Sequence, residues 1–147
     1  MGEINQTLGI YGAGHKATIG GKDYTLTPVV QRTKAEFEAW MEGEARKEIY
    51  AHQAFLQPEA FAAVVTCYVK DKAVGVYSWL GEQFCRVYPT VAGIKQLFYS
   101  LTRKAHAETL LPDDIDRLAE EDLEGMAAAV NEVLTLGKLL PSKPAKK

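Results

Sequence analysis

The chain has 147 residues, of which 47% are hydrophobic and 24% are charged, and its formal net charge is −2. This length suits one domain with a core of its own, and the composition is that of an ordinary globular protein. The slightly acidic charge excludes a general electrostatic attraction to nucleic acid, so DNA binding would need a local basic patch. We expect one domain over 15–139, between a flexible arm at 1–14 and a disordered lysine-rich tail at 140–147.

A β-hairpin is predicted near the start of the chain. Two short runs of alternating residues flank Gly20 and Gly21, and paired glycines supply the positive φ angles of tight hairpin turns. Ile19, Tyr24 and Leu26 fall on one face of this hairpin. Because an isolated hairpin is only marginally stable, that face must lean on a helix or on a neighbouring subunit. These three residues are therefore our candidates for self-association.

The first helix is predicted to start at a capping box, with Thr33 as the N-cap and Glu36 reaching back to it. We expect this helix to run to about Leu56. Its apolar residues recur three and four positions apart, which predicts one buried stripe. The stripe consists of Phe37, Trp40, Met41, Ala45 and Ile49.

Pro58 fits the first position of a second helix, with Glu59 near its positive end. The stretch 60–77 is ambiguous, because its β-branched and aromatic residues also fit a β-hairpin. We favour the helix, since Pro58 and the alanine-rich start both support it.

Breakers and caps divide the remaining sequence into four amphipathic segments. The third segment ends at Pro89, Thr90 caps a fourth helix, Pro112 opens a short fifth and Asp122 caps a sixth that ends near Gly137. The predicted fold is therefore mainly α, with a small N-terminal β-hairpin followed by a five- to six-helix bundle.

No arrangement of residues predicts catalysis or metal binding. His15, His52 and His106 lie far apart and lack zinc-site spacing, and the acidic residues at 113–122 fit helix starts. Cys67 and Cys85 are interpreted as reduced core thiols, with a thiol enzyme as an alternative. We predict a protein that is not an enzyme and has no catalytic residues, no metal and no cofactor.

The fourth predicted helix carries several basic residues, namely Lys95, Arg103, Lys104 and His106. A solvated face is the favoured interpretation in an acidic chain, and a small nucleic-acid-binding regulator is the alternative. The N-terminus lacks the apolar stretch of a signal peptide, and no apolar run reaches the roughly 18 residues of a membrane span. We therefore expect a soluble cytoplasmic protein.

The large aromatic side chains are more numerous than one small core easily hides. Surplus apolar surface of this kind is used for self-association or for binding an apolar partner helix. The candidate partner-binding residues are Phe37, Trp40, Met41, Tyr77, Trp79 and Phe84.

The order of these features resembles that of tail assembly chaperones of long-tailed bacteriophages. The resemblance covers about residues 15–136. It rests on IGGKDYTLTP at 19–28, the capped helix with Phe37 and Trp40, GVYSWL at 75–80, the apolar helix 94–101, LPDDI at 111–115 and AAVNEVL at 128–134.

The resemblance implies a helical homo-oligomer in the host cytoplasm. It also implies binding to the tape measure protein, a long apolar helical polypeptide kept soluble while the tail tube assembles. No catalytic residues follow from it. A structural neck or tail subunit of the virion remains the alternative, since such a subunit needs the same apolar surfaces.

Overall fold

The computed structural model of the protein describes residues 14–136. In this part a two-stranded antiparallel hairpin precedes five α-helices, which confirms the predicted fold class. The elements are β1 (His15–Ile19), β2 (Lys22–Leu26), α1 (Gln31–Ala51), α2 (Pro58–Ala73), α3 (Glu82–Val87), α4 (Val91–His106) and α5 (Pro112–Leu136). The predicted tail, the helix end near Gly137 and the predicted arm apart from Gly14 lie outside the described residues.

The hairpin turns at the predicted glycine pair. Gly20 and Gly21 have φ angles of 59° and 83°, which side chains with a β-carbon rarely adopt. The register pairs Ile19 with Lys22 directly across the turn. Ile19 and Leu26 are fully buried, so the hairpin leans on helices of its own chain.

The core lies between the hairpin, α4 and α5, with α1 covering one side. The backbone N–H of Thr27 donates to the carbonyl of Leu101 at 2.8 Å, which joins the end of β2 to α4. Both long helices present one apolar face, as their sequence spacing predicts. The buried residues of this face include Ile94, Leu97, Phe98, Leu101, Met126, Val130 and Leu134.

Helix α5 bends at Asp122, whose φ of −153° and ψ of 67° are not helical. The Asp122 carboxylate accepts hydrogen bonds from the backbone N–H groups of Gly125 and Gly20, each at 3.0 Å. The first bond confirms the predicted cap, so the predicted fifth and sixth helices are the two halves of α5. These two hydrogen bonds hold the pKa of Asp122 below its usual value.

The predicted limits of the first helix are wrong at both ends. Helix α1 begins at Gln31 with Val30 as its N-cap, and the Thr33 hydroxyl accepts from the Val30 N–H at 3.3 Å. Thr33 therefore lies inside the first turn rather than before it. The helix also ends at Ala51, where a short 3₁₀ turn at Gln53–Phe55 replaces the predicted continuation.

The ambiguous stretch 60–77 is helical up to Ala73. Pro58 occupies the first turn of α2, which confirms the helical interpretation over the β-hairpin. Thr90 caps α4 as predicted, because its hydroxyl accepts from the Gly93 N–H at 3.1 Å. The third predicted segment is helical only over α3. Residues 74–81 turn instead, since Gly75 and Leu80 have positive φ angles of 87° and 65°.

Candidate functional site

Helices α1 and α2 form an antiparallel helical arm, which we define as residues 42–74 and which includes Val74, the C-cap of α2. Its contacts run in order along the pair: Tyr50 on Phe61 at 5.8 Å between ring centroids, Arg46 Nη1 to the Tyr68 hydroxyl at 3.1 Å, and Lys72 Nζ to Glu42 at 3.1 Å. No residue of α2 is buried. The arm is therefore held by side-chain contacts along one edge rather than by the core.

The loop 74–81 connects the arm to α3 and presents two aromatic side chains. The Glu38 carboxylate accepts from the Trp79 N–H at 2.6 Å, which ties the loop to α1. Leu80 is held in the left-handed region, where a residue with a β-carbon is strained by about 1–2 kcal/mol. The surrounding structure must compensate for this strain. The loop therefore has a fixed conformation that positions Tyr77 and Trp79.

A groove of about 890 Å³ lies between α1, Val64 of α2, α3 and the start of α4. Its floor is apolar and its rim is charged with both signs, which is the usual character of a polypeptide-binding groove. The apolar lining includes Trp40, Ala45, Ile49, Leu56, Val64, Tyr77, Val87 and Ala92, and the charged rim is Glu44, Lys47, Glu48 and Arg86.

Five of the six predicted partner-binding residues form one aromatic and thioether cluster, within the packed interior or at its edge. Phe37 and Phe84 are fully buried and Met41 is 2% exposed. Trp79 lies 4.5 Å from Phe84 and 5.9 Å from Phe37 between ring centroids, and Trp40 lies 5.2 Å from Phe37. The three buried side chains reach no partner while the core is closed. They support the half-buried ones from behind.

Tyr77 lies on the groove side of this cluster. Its ring is 5.4 Å from that of Tyr68 on α2, so it joins the loop to the arm. Burial raises the pKa of the Tyr77 hydroxyl, and the charge of Asp71 acts in the same direction. Tyr77 is therefore neutral at physiological pH, and its ring and hydroxyl can both contact a ligand. Tyr77 and Trp40 are the two predicted residues that line the groove.

The predicted self-association residues already make contacts within the described chain. Ile19 and Leu26 are buried, and the half-buried Tyr24 lies edge-on against Phe98 at 6.0 Å and His106 at 5.5 Å. Burial and, next, the charge of Glu121 raise the pKa of Tyr24. A subunit contact through the hairpin stays a prediction, and within one copy its apolar face is already covered.

The sequence patterns missed the apolar side chains that the arm leaves exposed. Phe55 is 83% exposed, Val74 77%, Tyr50 58% and Val69 57%. Helical spacing predicts which residues share a face, but it does not show whether another element covers that face. The one available signal was that α2 is rich in apolar residues without the strongly polar opposite face of a typical surface helix.

The two thiols are also placed differently from the prediction. Cys67 and Cys85 are free and exposed, so their interpretation as core thiols is wrong. Cys67 lies on α2, which buries nothing, and this explains its exposure. Within residues 14–136, no group of three or more His, Cys, Asp or Glu side chains is placed to hold a metal ion.

The basic residues of α4 do not form one open patch. Lys95 pairs with Asp116 at 2.8 Å, Arg103 pairs with Glu36 at 3.2 Å, and the His106 ring accepts from the Thr25 N–H at 3.0 Å. Lys104 has no carboxylate within ion-pair distance among the described residues, but the contacts of Lys95 and Arg103 pair their charges within the protein. They favour a structural role for this face over a surface for extended nucleic acid.

No family model, no curated protein and no solved structure matches the chain. Among the helices of residues 14–136, none has the length and apolar character needed to cross a membrane. The groove and the exposed apolar side chains of the arm are thus the features from which a function can be argued.

Proposed function

We propose that the protein is an assembly chaperone of a bacteriophage tail, which self-associates and binds the apolar helical tape measure protein in the host cytoplasm. The observation that carries the proposal is the apolar surface left by the arm, from Tyr50 and Phe55 to Val69 and Val74. A helix such as α2, which carries apolar side chains and fully buries none, is typical of a surface completed by another polypeptide.

Binding would follow from burial in the groove. An amphipathic client helix inserts side chains three and four residues apart between α1 and α3, where Trp40, Val64 and Tyr77 supply apolar contact. Each Å² of apolar surface removed from water contributes about 25 cal/mol. The charged rim at Glu44, Lys47 and other positions stays solvated. Apolar contact in the groove and a solvated rim together allow the client to bind reversibly.

The predicted residues then have two roles. Trp40 and Tyr77 contact the client directly, and the buried Phe37, Met41 and Phe84, together with Trp79, hold them in place. Self-association through Ile19, Tyr24 and Leu26 would require the hairpin face to open, so we assign the first subunit contact to the arm.

The test is binding of a helical peptide from a tape measure protein, measured by fluorescence anisotropy with Val64→Asp as the variant. Val64 lines the groove and is 37% exposed, so a carboxylate at this position should weaken client binding without disturbing the core. We expect the affinity to fall about tenfold or more, because the apolar side chains of the client would desolvate the carboxylate. The matched control is Leu111→Asp, a 53% exposed leucine outside the groove.

Equal affinities for Val64→Asp and the wild type would refute the groove as the client site. Light scattering of the purified protein tests self-association independently, and a strictly monomeric protein would contradict that part of the proposal. Mass spectrometry of purified virions separates a chaperone from a structural tail subunit, because only the structural subunit remains in the particle.

A further inference from the structure

A second cavity, of about 570 Å³, lies between the start of α1 and the end of α4. It shares no lining residue with the groove. Its polar lining includes Arg32, Glu36, Ser100, Arg103 and Lys104. This volume falls within the range of small-molecule sites, which is about 300–1,000 Å³.

The charge of this cavity is opposite to that of the whole protein. Three cationic side chains face one carboxylate, in a chain whose formal net charge is −2. One oxygen of Glu36 accepts from Arg32 Nε at 3.1 Å and from Arg103 Nη1 at 3.2 Å. Each guanidinium has five N–H donors, so both retain donors for a further anion. Among the described residues, no carboxylate lies within ion-pair distance of Lys104.

The backbone beside this cluster adds to the same preference, and one covered hydroxyl in the lining lacks a hydrogen-bond partner in the described chain. The first turn of α1 contains no acidic residue, and its N-cap Val30, which lines the cavity, has no side-chain oxygen to satisfy the free N–H groups. The Ser100 hydroxyl is covered and has no hydrogen-bond partner among the described residues. Arg103 also lies over the Tyr99 ring at 5.4 Å, which restricts its guanidinium.

We propose that this cavity binds a small molecule through a phosphate group held by Arg32, Arg103 and Lys104. The guanidinium fork matches the oxygens of phosphate, and Lys104 adds a point charge. Glu36 holds the two arginines together and competes with the ligand for their donors. Pro28 and the exposed Val30 offer apolar contact to the rest of the molecule. The site is independent of the client groove.

The experiment titrates the full chain with inorganic phosphate and, separately, with adenosine monophosphate, at constant ionic strength, and follows backbone amide shifts by NMR. We expect saturable shifts at 27–36 and 100–107. Lys104→Gln should weaken binding several-fold and Arg103→Gln with Lys104→Gln about tenfold or more. Glu36→Gln should strengthen binding, because it removes the competing carboxylate.

Arg86→Gln is the matched control, since Arg86 pairs with Glu82 on α3 outside this cavity. Its affinity should equal that of the wild type. Saturation by both ligands shows that the phosphate suffices, whereas saturation by the nucleotide alone assigns part of the affinity to the apolar lining. Absence of saturation by either ligand, equal affinities for Lys104→Gln and the wild type, or weaker binding by Glu36→Gln would overturn the proposal.

Discussion

Phe84→Ala tests whether the Phe84 ring stabilises the fold as a core residue, in contrast to the exposed ring of Phe55. Phe84 is fully buried, and its ring lies 4.5 Å from that of Trp79, 5.4 Å from Phe37 and 5.2 Å from Tyr88. Truncation to alanine removes the ring and leaves a cavity that these large neighbours cannot close. Such substitutions cost about 3–5 kcal/mol. Since whole domains are stable by about 5–15 kcal/mol, the loss is a large fraction of the total.

The assay is urea unfolding followed by tryptophan fluorescence, because Trp79 contacts the deleted ring. We expect the midpoint to fall with little change in slope, and the melting temperature to drop by roughly 10–15 °C. Phe55→Ala is the matched control. Phe55 is 83% exposed, so its removal should change the free energy of unfolding by no more than about 0.5 kcal/mol.

Phe55→Ala should instead show its effect in an association assay. Phe55→Ala removes exposed apolar surface from the arm, so it should reduce self-association or client binding while the fold persists. The reasoning is refuted if Phe84→Ala unfolds within about 1 kcal/mol of the wild type, since its ring would then not be a core element. It is equally refuted if Phe55→Ala destabilises the monomer as strongly as Phe84→Ala does.

Three further substitutions test local features of the fold. Thr90→Ala removes the cap of α4 and should lower the free energy of unfolding in urea by about 1 kcal/mol. An unchanged free energy of unfolding would contradict the capping role of Thr90. Gly93→Ala places a β-carbon onto the Val87 carbonyl oxygen and should cost about 1–3 kcal/mol, so a stable variant would contradict this close packing. Asp122→Asn should lower the melting temperature at pH 7. Because the folded-state pKa of Asp122 is depressed, its contribution is present above pH about 4 and is lost as the pH falls through the folded-state value. The wild type and Asp122→Asn should therefore differ less in melting temperature in acid than at pH 7. An equal difference at both pH values would show that the ionised Asp122 carboxylate, which accepts from the Gly20 N–H, does not stabilise the fold.

Local signals in the sequence predicted much of the fold. Pro58, Thr90 and Asp122 each act within one turn of their own position, and each marks a helix start where it was expected. Thr33 shows the limit of this reasoning. Its hydroxyl makes a capping contact from the third helical position instead of the N-cap, and both arrangements need a threonine near the same helix start.

Features that depend on distant residues could not be predicted in this way. The loop 74–81 is fixed by Glu38 of α1, which lies 41 residues from Trp79. The exposure of α2 depends on the absence of a covering element in the described chain, and periodicity carries no information about coverage. The cavity with Arg32 and Arg103 could not be predicted for the same reason, because these residues lie on different helices and both contact Glu36.

Stability and client binding are coupled through the aromatic cluster. Phe37 contacts Trp40, which lines the groove, and also contacts Trp79 of the loop. A client helix that packs on Trp40 must therefore press on the side chains that close the core, and by mass action it stabilises the folded state. Truncating Phe37 would lower both properties at once and could not identify the client site. Val64 can identify it, because it lines the groove from a helix that buries nothing.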